Sequence, residues 1–288
     1  MIDELAVQQV HDATLRELAL FAGAGGGILA GKLMGWRTVC AVERDAYASQ
    51  VLAQRQNDGF LEPFPIWSDI TTFDGNPWRG IVDVVSGGFP CQDISAAGKG
   101  AGIEGARSGM WKEMARIIGE VRPKYAFVEN SPMLSTRGLG TVLADLAALG
   151  FDAEWGVLSA ADVGAPHLRE RIWIVAKQRN IFSRTEHNGN GWWKQQQESV
   201  KKKNDAYAGL PRFTPRTIKT FRQRLQTLGE QAWRGFRSDD RYLENARVIC
   251  RINDGMAYRV DRLKAIGNGQ VPLCAATAFE LLRARLDE

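Results

Sequence analysis

The chain has 288 residues, of which 44% are hydrophobic and 24% charged, the balance of an ordinary soluble globular protein with one large domain and room for a small appendage. No apolar run approaches the length that crosses a bilayer, and Met1–Leu5 lacks the basic-then-apolar pattern of a secretory signal, so a cytoplasmic setting without a membrane partner is expected. The net charge is only +4, but residues 177–247 hold 16 Lys and Arg against 7 Asp and Glu, which leaves the rest of the chain at −5; one segment is built to meet a polyanion.

Cysteines stand at 40, 91, 250 and 274 with no Cys-x-x-Cys pair, and His11, His167 and His187 have no ligand spacing. A disulfide framework, a structural zinc site and any other metal are therefore not expected.

In chain order, Leu18–Phe21 reads as a buried strand that ends in the glycine cluster Gly23–Gly27. A helix through Ile28–Met34 and a second strand over Thr38–Val42, ending at Glu43, follow. Further strands are predicted at Ile81–Val85, Tyr125–Val128 and Arg171–Ala176, and helical spacing covers Ser108–Val121 and Gly140–Leu149. Such alternation predicts an α/β fold, a doubly wound and mostly parallel sheet with helices on both faces. Regular character lapses after Ala176 and resumes near Leu263, before a helix-like Pro272–Leu286. The expected organisation is a catalytic and cofactor-binding domain over 1–176, a small irregular domain over 177–256, and a C-terminal segment, 257–288, that returns to the first domain.

Glycines after a strand let the backbone turn tightly and approach a ligand without a Cβ in the way. Glu43, 20 residues beyond Gly23, can accept hydrogen bonds from both hydroxyls of a ribose, and Asp69 can serve an adenine amino group. The sixth position of a Gly-x-Gly-x-x-Gly pattern is Ile28, so the turn alone fits NAD enzymes and methyltransferases alike. Cys91 is set apart from the other cysteines. Cys40, Cys250 and Cys274 sit among apolar neighbours, whereas Cys91 follows Pro90 at a predicted strand end, among Gly, Pro and polar residues where a thiolate can form. Five glycines among the fifteen residues 95–109 suggest a lid over it.

Taken together, Phe21–Gly26, Glu43, Asp69, Gly88–Gln92, Phe127–Asn130, Arg169–Arg171 and Gly267-Asn268 with Val271-Pro272 resemble, in order, the motifs of the cytosine-C5 DNA methyltransferase family. Three positions depart from the pattern: Ser131-Pro132 after the Glu-Asn pair, His167-Leu168 before Arg169, and Gly269-Gln270 where a small apolar pair is more common. The resemblance implies a Rossmann-like, S-adenosyl-L-methionine-dependent fold with a small target-recognition domain, and transfer of a methyl group to C5 of a flipped cytosine in double-stranded DNA. It implies Cys91 as the nucleophile on C6, Glu129 as the acid at N3, and Arg171 with Arg169 as ligands of O2 or a phosphate. Phe21, Gly23, Gly25, Glu43, Asp69, Ile70, Pro90 and Asn268 would bind the cofactor. A monomer is implied, with a restriction endonuclease as the cognate partner. Competing readings are a NAD-linked oxidoreductase, which leaves Pro90–Gln92 and the basic segment unexplained, an RNA cytosine methyltransferase, and a silent DNA-binding relative.

Overall fold

The computed structural model describes residues 14–90, 109–165, 167–179 and 269–287. Seven strands form one sheet: β1 (Arg16–Leu20), β2 (Arg37–Val42), β3 (Ile66–Trp67), β4 (Val84–Gly88), β5 (Tyr125–Asn130), β6 (Phe151–Ser159) and β7 (Glu170–Gln178). Their order is β3-β2-β1-β4-β5-β7-β6. All neighbours pair in parallel except β7, which runs antiparallel to both β5 and β6. The chain moves outward from β1 to β2 and β3, then starts again on the other side of β1 with β4. The gap between the carboxyl ends of β1 and β4 is thus the switch point where ligands bind in such sheets.

The helices are α1 (Gly26–Leu33), α2 (Ala46–Asn57), α3 (Gly109–Val121), α4 (Leu134–Arg137), α5 (Leu139–Ala148) and α6 (Pro272–Asp287). Alternation along each central strand divides the core into two layers. On one face, Leu18, Leu20, Ala126, Val128, Ile172 and Ile174 pack with Trp111, Met114, Ile117 and Ile118 of α3 and Leu139, Val142 and Leu146 of α5. On the other, Val84, Tyr125, Phe127, Trp173 and Val175 pack with Ala30 of α1 and with Cys274, Ala275, Ala278, Phe279 and Leu282 of α6. Phe279 meets Phe127 and Trp36 edge-on at centroid distances of 5.3 and 4.6 Å, and Phe127 stacks on Trp173 at 5.5 Å. The small residues of α6 let it lie flat beside α1, which brings residues 269 and 270 to the switch point.

The predicted strand at Ile81–Val85 begins later, at Val84. Ile81 and Val82 both donate their N–H groups to the Trp78 carbonyl, closing a turn, and Asp83 accepts from the Arg16 backbone at 2.9 Å, which sets the start of the ladder. Elements α2, β3, α4 and β6 escape the sequence reading; β3 and α4, of two and four residues, are too short to show a period. Helix α2 buries only Ala48 and Leu52, and β6 is an edge strand whose first half is partly exposed. Neither α2 nor β6 shows a clean apolar period. No helix among the described residues is long and apolar enough to cross a membrane.

One polar group lies wholly inside. Glu17 of β1 is 0% exposed and accepts from Thr38 Oγ1 at 2.7 Å and from Ser86 Oγ at 2.6 Å. Burial pushes its carboxyl above the usual range, against the two hydroxyl bonds. An acid raised on folding stabilises the protein fully below its unfolded value, and that contribution is lost as pH rises through the native one. Glu17→Gln, whose amide suits the same hydroxyls, is therefore expected to flatten the fall in Tm between pH 5 and pH 8.5. A gain of roughly 2–4 °C at the higher pH corresponds to about 1 kcal/mol in a domain of this size. Parallel Tm-against-pH curves for the two proteins would contradict it.

Candidate active site at the carboxyl edge of the sheet

The first wall of the site is the turn between β1 and α1. Gly23 and Gly25 adopt φ of 53° and 87°, which favours glycine, and Phe21 takes φ 52°, an unfavoured conformation for an aromatic residue that costs about 1–3 kcal/mol. The Gly25 N–H donates to the Ala22 carbonyl at 2.9 Å, and Gly25 caps α1. Glu43 fastens this turn to β2: its Oε2 accepts from the Gly23 N–H at 2.6 Å and its Oε1 from the Asp45 N–H at 2.7 Å. A carboxylate oxygen has two acceptor sites, so each retains one for a further donor. Asp69 lies two residues past β3 and accepts from the Thr71 N–H and hydroxyl at 2.9 and 2.8 Å, which hold its carboxyl below the usual range. Ile70, next in the chain, is buried in the core.

The opposite wall carries a buried acid. Glu129 lies near the end of β5 and is 8% exposed. It pairs with Trp173 across β7, so Arg171, two residues earlier, is its diagonal neighbour on the same face. Arg171 Nε lies 2.8 Å from Glu129 Oε1, while Arg171 Nη1 donates to the Glu170 carbonyl at 2.7 Å. Arg169 has φ 31° and donates through Nη2 to the Gly269 carbonyl. Gly88 of β4 pairs with Glu129 of β5, and a Cβ there would lie 2.3 Å from Glu129 Oε2, so a side chain at 88 would push the carboxyl from its place. Burial raises the Glu129 carboxyl above the usual range, against Arg171, Arg169 and a hydrogen bond with Gln270. Contact with a guanidinium argues for ionisation, but the loss of water outweighs it here.

Between the two walls is a small, open cavity, bounded by Phe21, Gly27 and Ile28 on one side and by Gly88, Glu129 and Gln270 on the other. Glu43 stands outside this lining, one strand over, with Asp69 beyond it. The structure thus brings Phe21 and Glu129 to one opening; Arg171 and Arg169 reach it only through their contacts with Glu129 and Gly269, and Gly23, Gly25 and Glu43 lie outside its lining. Pro90 is exposed just past the end of β4. Cys91 and Asn268, which flank described residues, lie outside the described part, as do residues 95–108, Cys250, Trp192, Trp193 and the rest of the basic segment beyond Arg179. Cys40 and Cys274 are buried, and burial pushes their thiols up to about 11 and about 12, so both stay protonated and unreactive at neutral pH.

Two residues here were given no role by the sequence. Asn130 is buried, its Nδ2 donating to the Phe89 carbonyl at 3.1 Å and its Oδ1 accepting from the Ser131 N–H at 2.8 Å. It ties the exit of β5 to the residue before Pro90. Its place beside Glu129 in the motif was the available signal. Gln270, visible beforehand only as a departure, touches both walls.

The model of the C-5 cytosine-specific DNA methylase family matches residues 15–259. The Type II methyltransferase M.PspPI of Psychrobacter sp. (strain TA137) is 36% identical over 188 residues, covering 63% of this chain and 44% of that protein. The Type II methyltransferase M.Eco47II of Escherichia coli is 36% identical over 173 residues, covering 57% of this chain and 40% of that protein. This chain therefore spans less than half the length of these curated relatives. The structure of the Entamoeba histolytica methyltransferase EhMeth is similar in fold, with a TM-score of 0.50 at 15% identity over 58% of this chain and 54% of that one. The family match covers most of the chain, including Phe21, Gly27, Gly88 and Glu129 around the cavity: the protein belongs to the C-5 cytosine-specific DNA methylase family.

Proposed function

We propose that the chain transfers a methyl group from S-adenosyl-L-methionine to C5 of a cytosine flipped out of double-stranded DNA, with Cys91 as a transient covalent nucleophile. The observation that carries this reading is Glu129, a buried carboxyl biased toward its neutral form, facing a cavity beside the strand end that leads into Pro90 and Cys91. A cytosine ring gains electron density at C5 only when a nucleophile adds at C6 and the charge arriving at N3 is met by a proton. Cys91 adds through its thiolate. Glu129 donates its proton to N3, and Arg171 orients the carboxyl while offering its remaining N–H groups to O2. After methyl transfer the N3 proton returns to Glu129, the C5 proton leaves to a base, its electron pair forms the C5=C6 bond, and the Cys91 sulfur departs as thiolate.

The donor set suits the cofactor. Glu43 has free acceptor sites for a ribose diol, Asp69 is an ionised acceptor for an exocyclic amine, and Phe21, Gly23, Gly25, Ile70, Pro90 and Asn268 complete the binding positions. When bound, S-adenosyl-L-methionine supplies an electrophilic methyl on a sulfonium. Target carbons in a stacked duplex are out of reach, which is why the base must be extruded. The basic segment would supply phosphate contacts and sequence reading as part of a target-recognition domain over 177–256, with 1–176 as the catalytic domain and 257–288 returning to it. A monomer in solution and a cognate endonuclease are part of the same reading.

Incubation with tritium-labelled S-adenosyl-L-methionine and duplex DNA of mixed sequence, followed by nucleoside analysis, tests this. Label recovered in 5-methylcytosine is expected. Label in RNA only, or in a base methylated on nitrogen, would contradict it.

A further inference from the structure

We propose that Gln270 is a positioning residue that joins the glycine turn to the acid, its backbone seated against Gly26 and its side-chain amide holding the Glu129 carboxyl beside Arg171. This rests on the reading of Glu129 as the acid.

The fit of Gln270 is close on three sides. A Cβ on Gly26 would lie 2.3 Å from the Gln270 carbonyl oxygen and 3.0 Å from its nitrogen. A Cβ on Gly27 would lie 2.6 Å from Gln270 Oε1. On the far side, the point a Cβ on Gly88 would occupy is 3.3 Å from Gln270 Nε2 and 2.3 Å from Glu129 Oε2, so amide and carboxyl converge above Gly88. The first turn of α1 and the end of β4 thus both lack side chains where Gln270 passes, and its amide spans the cavity between them. The small apolar side chain more common at this place in the family pattern would leave the second carboxyl oxygen without that donor.

An amide donor favours the charged carboxyl, in the same sense as the cations and against burial. Among the described residues, the charged and titratable groups facing Glu129 are Arg171 and Arg169 from the β7 side and the Cys274 thiol from α6. Glu129 is the carboxyl of this group, and the burial that lifts it puts its titration on the alkaline side of an ordinary carboxylate. Loss of the Gln270 donor removes one stabiliser of the charged form, and the neutral acid then persists to higher pH while losing its fixed orientation.

The test is the pH profile of kcat, at saturating DNA and S-adenosyl-L-methionine, for the wild type, Gln270→Met and Gln270→Val. Methionine matches the glutamine in length without a donor, and valine keeps the result interpretable where methionine fails to fold. The alkaline limb is expected to move up by about half to one pH unit in either folded variant, on the scale of one hydrogen bond to a carboxylate. At pH 7.5 kcat is expected to fall about 3- to 10-fold, with KM for the cofactor within about twofold. An unmoved limb with kcat within twofold overturns the inference, as does a loss confined to cofactor KM. Glu129→Gln serves as the control: if it keeps the wild-type limb, the assignment of the acid has failed rather than the role of Gln270.

Discussion

Replacing Cys91 with serine is expected to abolish methyl transfer, by on the order of 10⁴-fold or more, the scale on which loss of a covalent nucleophile acts. A serine hydroxyl has no accessible anion near neutral pH, whereas a thiol in a polar loop reaches its thiolate. The thiols among the described residues offer no substitute. Cys40 and Cys274 are buried in the core and held protonated, and Cys274 already donates to the Ser159 carbonyl at 3.1 Å. The walls that would hold the cofactor, Phe21 to Gly25 with Glu43, are fastened by bonds that do not involve Cys91. Affinity for S-adenosyl-L-methionine, read by calorimetry, should therefore stay within about twofold of wild type. Retained turnover would show that the nucleophile is another group.

Glu129→Gln should lower kcat by about 10²- to 10⁴-fold, the usual contribution of a positioned general acid. The amide keeps the shape and can still approach N3, but it has no proton to give. The pH dependence carries a definite sign. Burial lifts the Glu129 carboxyl, so the neutral, competent form extends above the range of an ordinary carboxylate and is lost as pH rises through the native value. Wild-type kcat should thus fall on its alkaline side, and the residual activity of Glu129→Gln should lack that fall. Stability follows the same direction, since the charged form is the one burial disfavours. A Glu129→Ala variant goes further, because Arg171, now about a quarter exposed at its side chain, loses its carboxylate partner. It should be less stable than Glu129→Gln in thermal unfolding.

The fold was legible wherever a strand is buried on both faces. Tyr125–Val128 and Arg171–Ala176 are continuous apolar runs because α3 and α5 cover one side and α1 and α6 the other. The 3.6-residue stripe of Trp111, Met114, Ile118 and Val121 likewise announced α3. Legibility failed where burial is partial. Helix α2 touches the core through Ala48 and Leu52 alone, and the first residues of β6 alternate poorly because the strand lies at the sheet edge. Ile81 misled for a different reason: it is apolar yet 44% exposed, in a turn held by Trp78. In the site, the motifs placed Glu129 and Arg171, and antiparallel register explains why residues 42 apart meet. The sequence reading expected the C-terminal segment to return to the first domain, but no pattern in it set Gln270 against Glu129, because that contact depends on where the residues before α6 cross the end of the sheet.

Covalent trapping addresses the bond between sulfur and ring carbon most directly. Duplex DNA of mixed sequence carrying 5-fluorocytosine replaces the C5 proton with an atom that cannot leave as a cation, so the adduct cannot break down after methyl transfer. The full chain, incubated with this DNA and S-adenosyl-L-methionine, should yield a denaturant-resistant complex whose digestion leaves the nucleotide on the peptide containing Cys91. Methylation of ordinary DNA with no trapped species, or a nucleotide attached elsewhere in the chain, would contradict it.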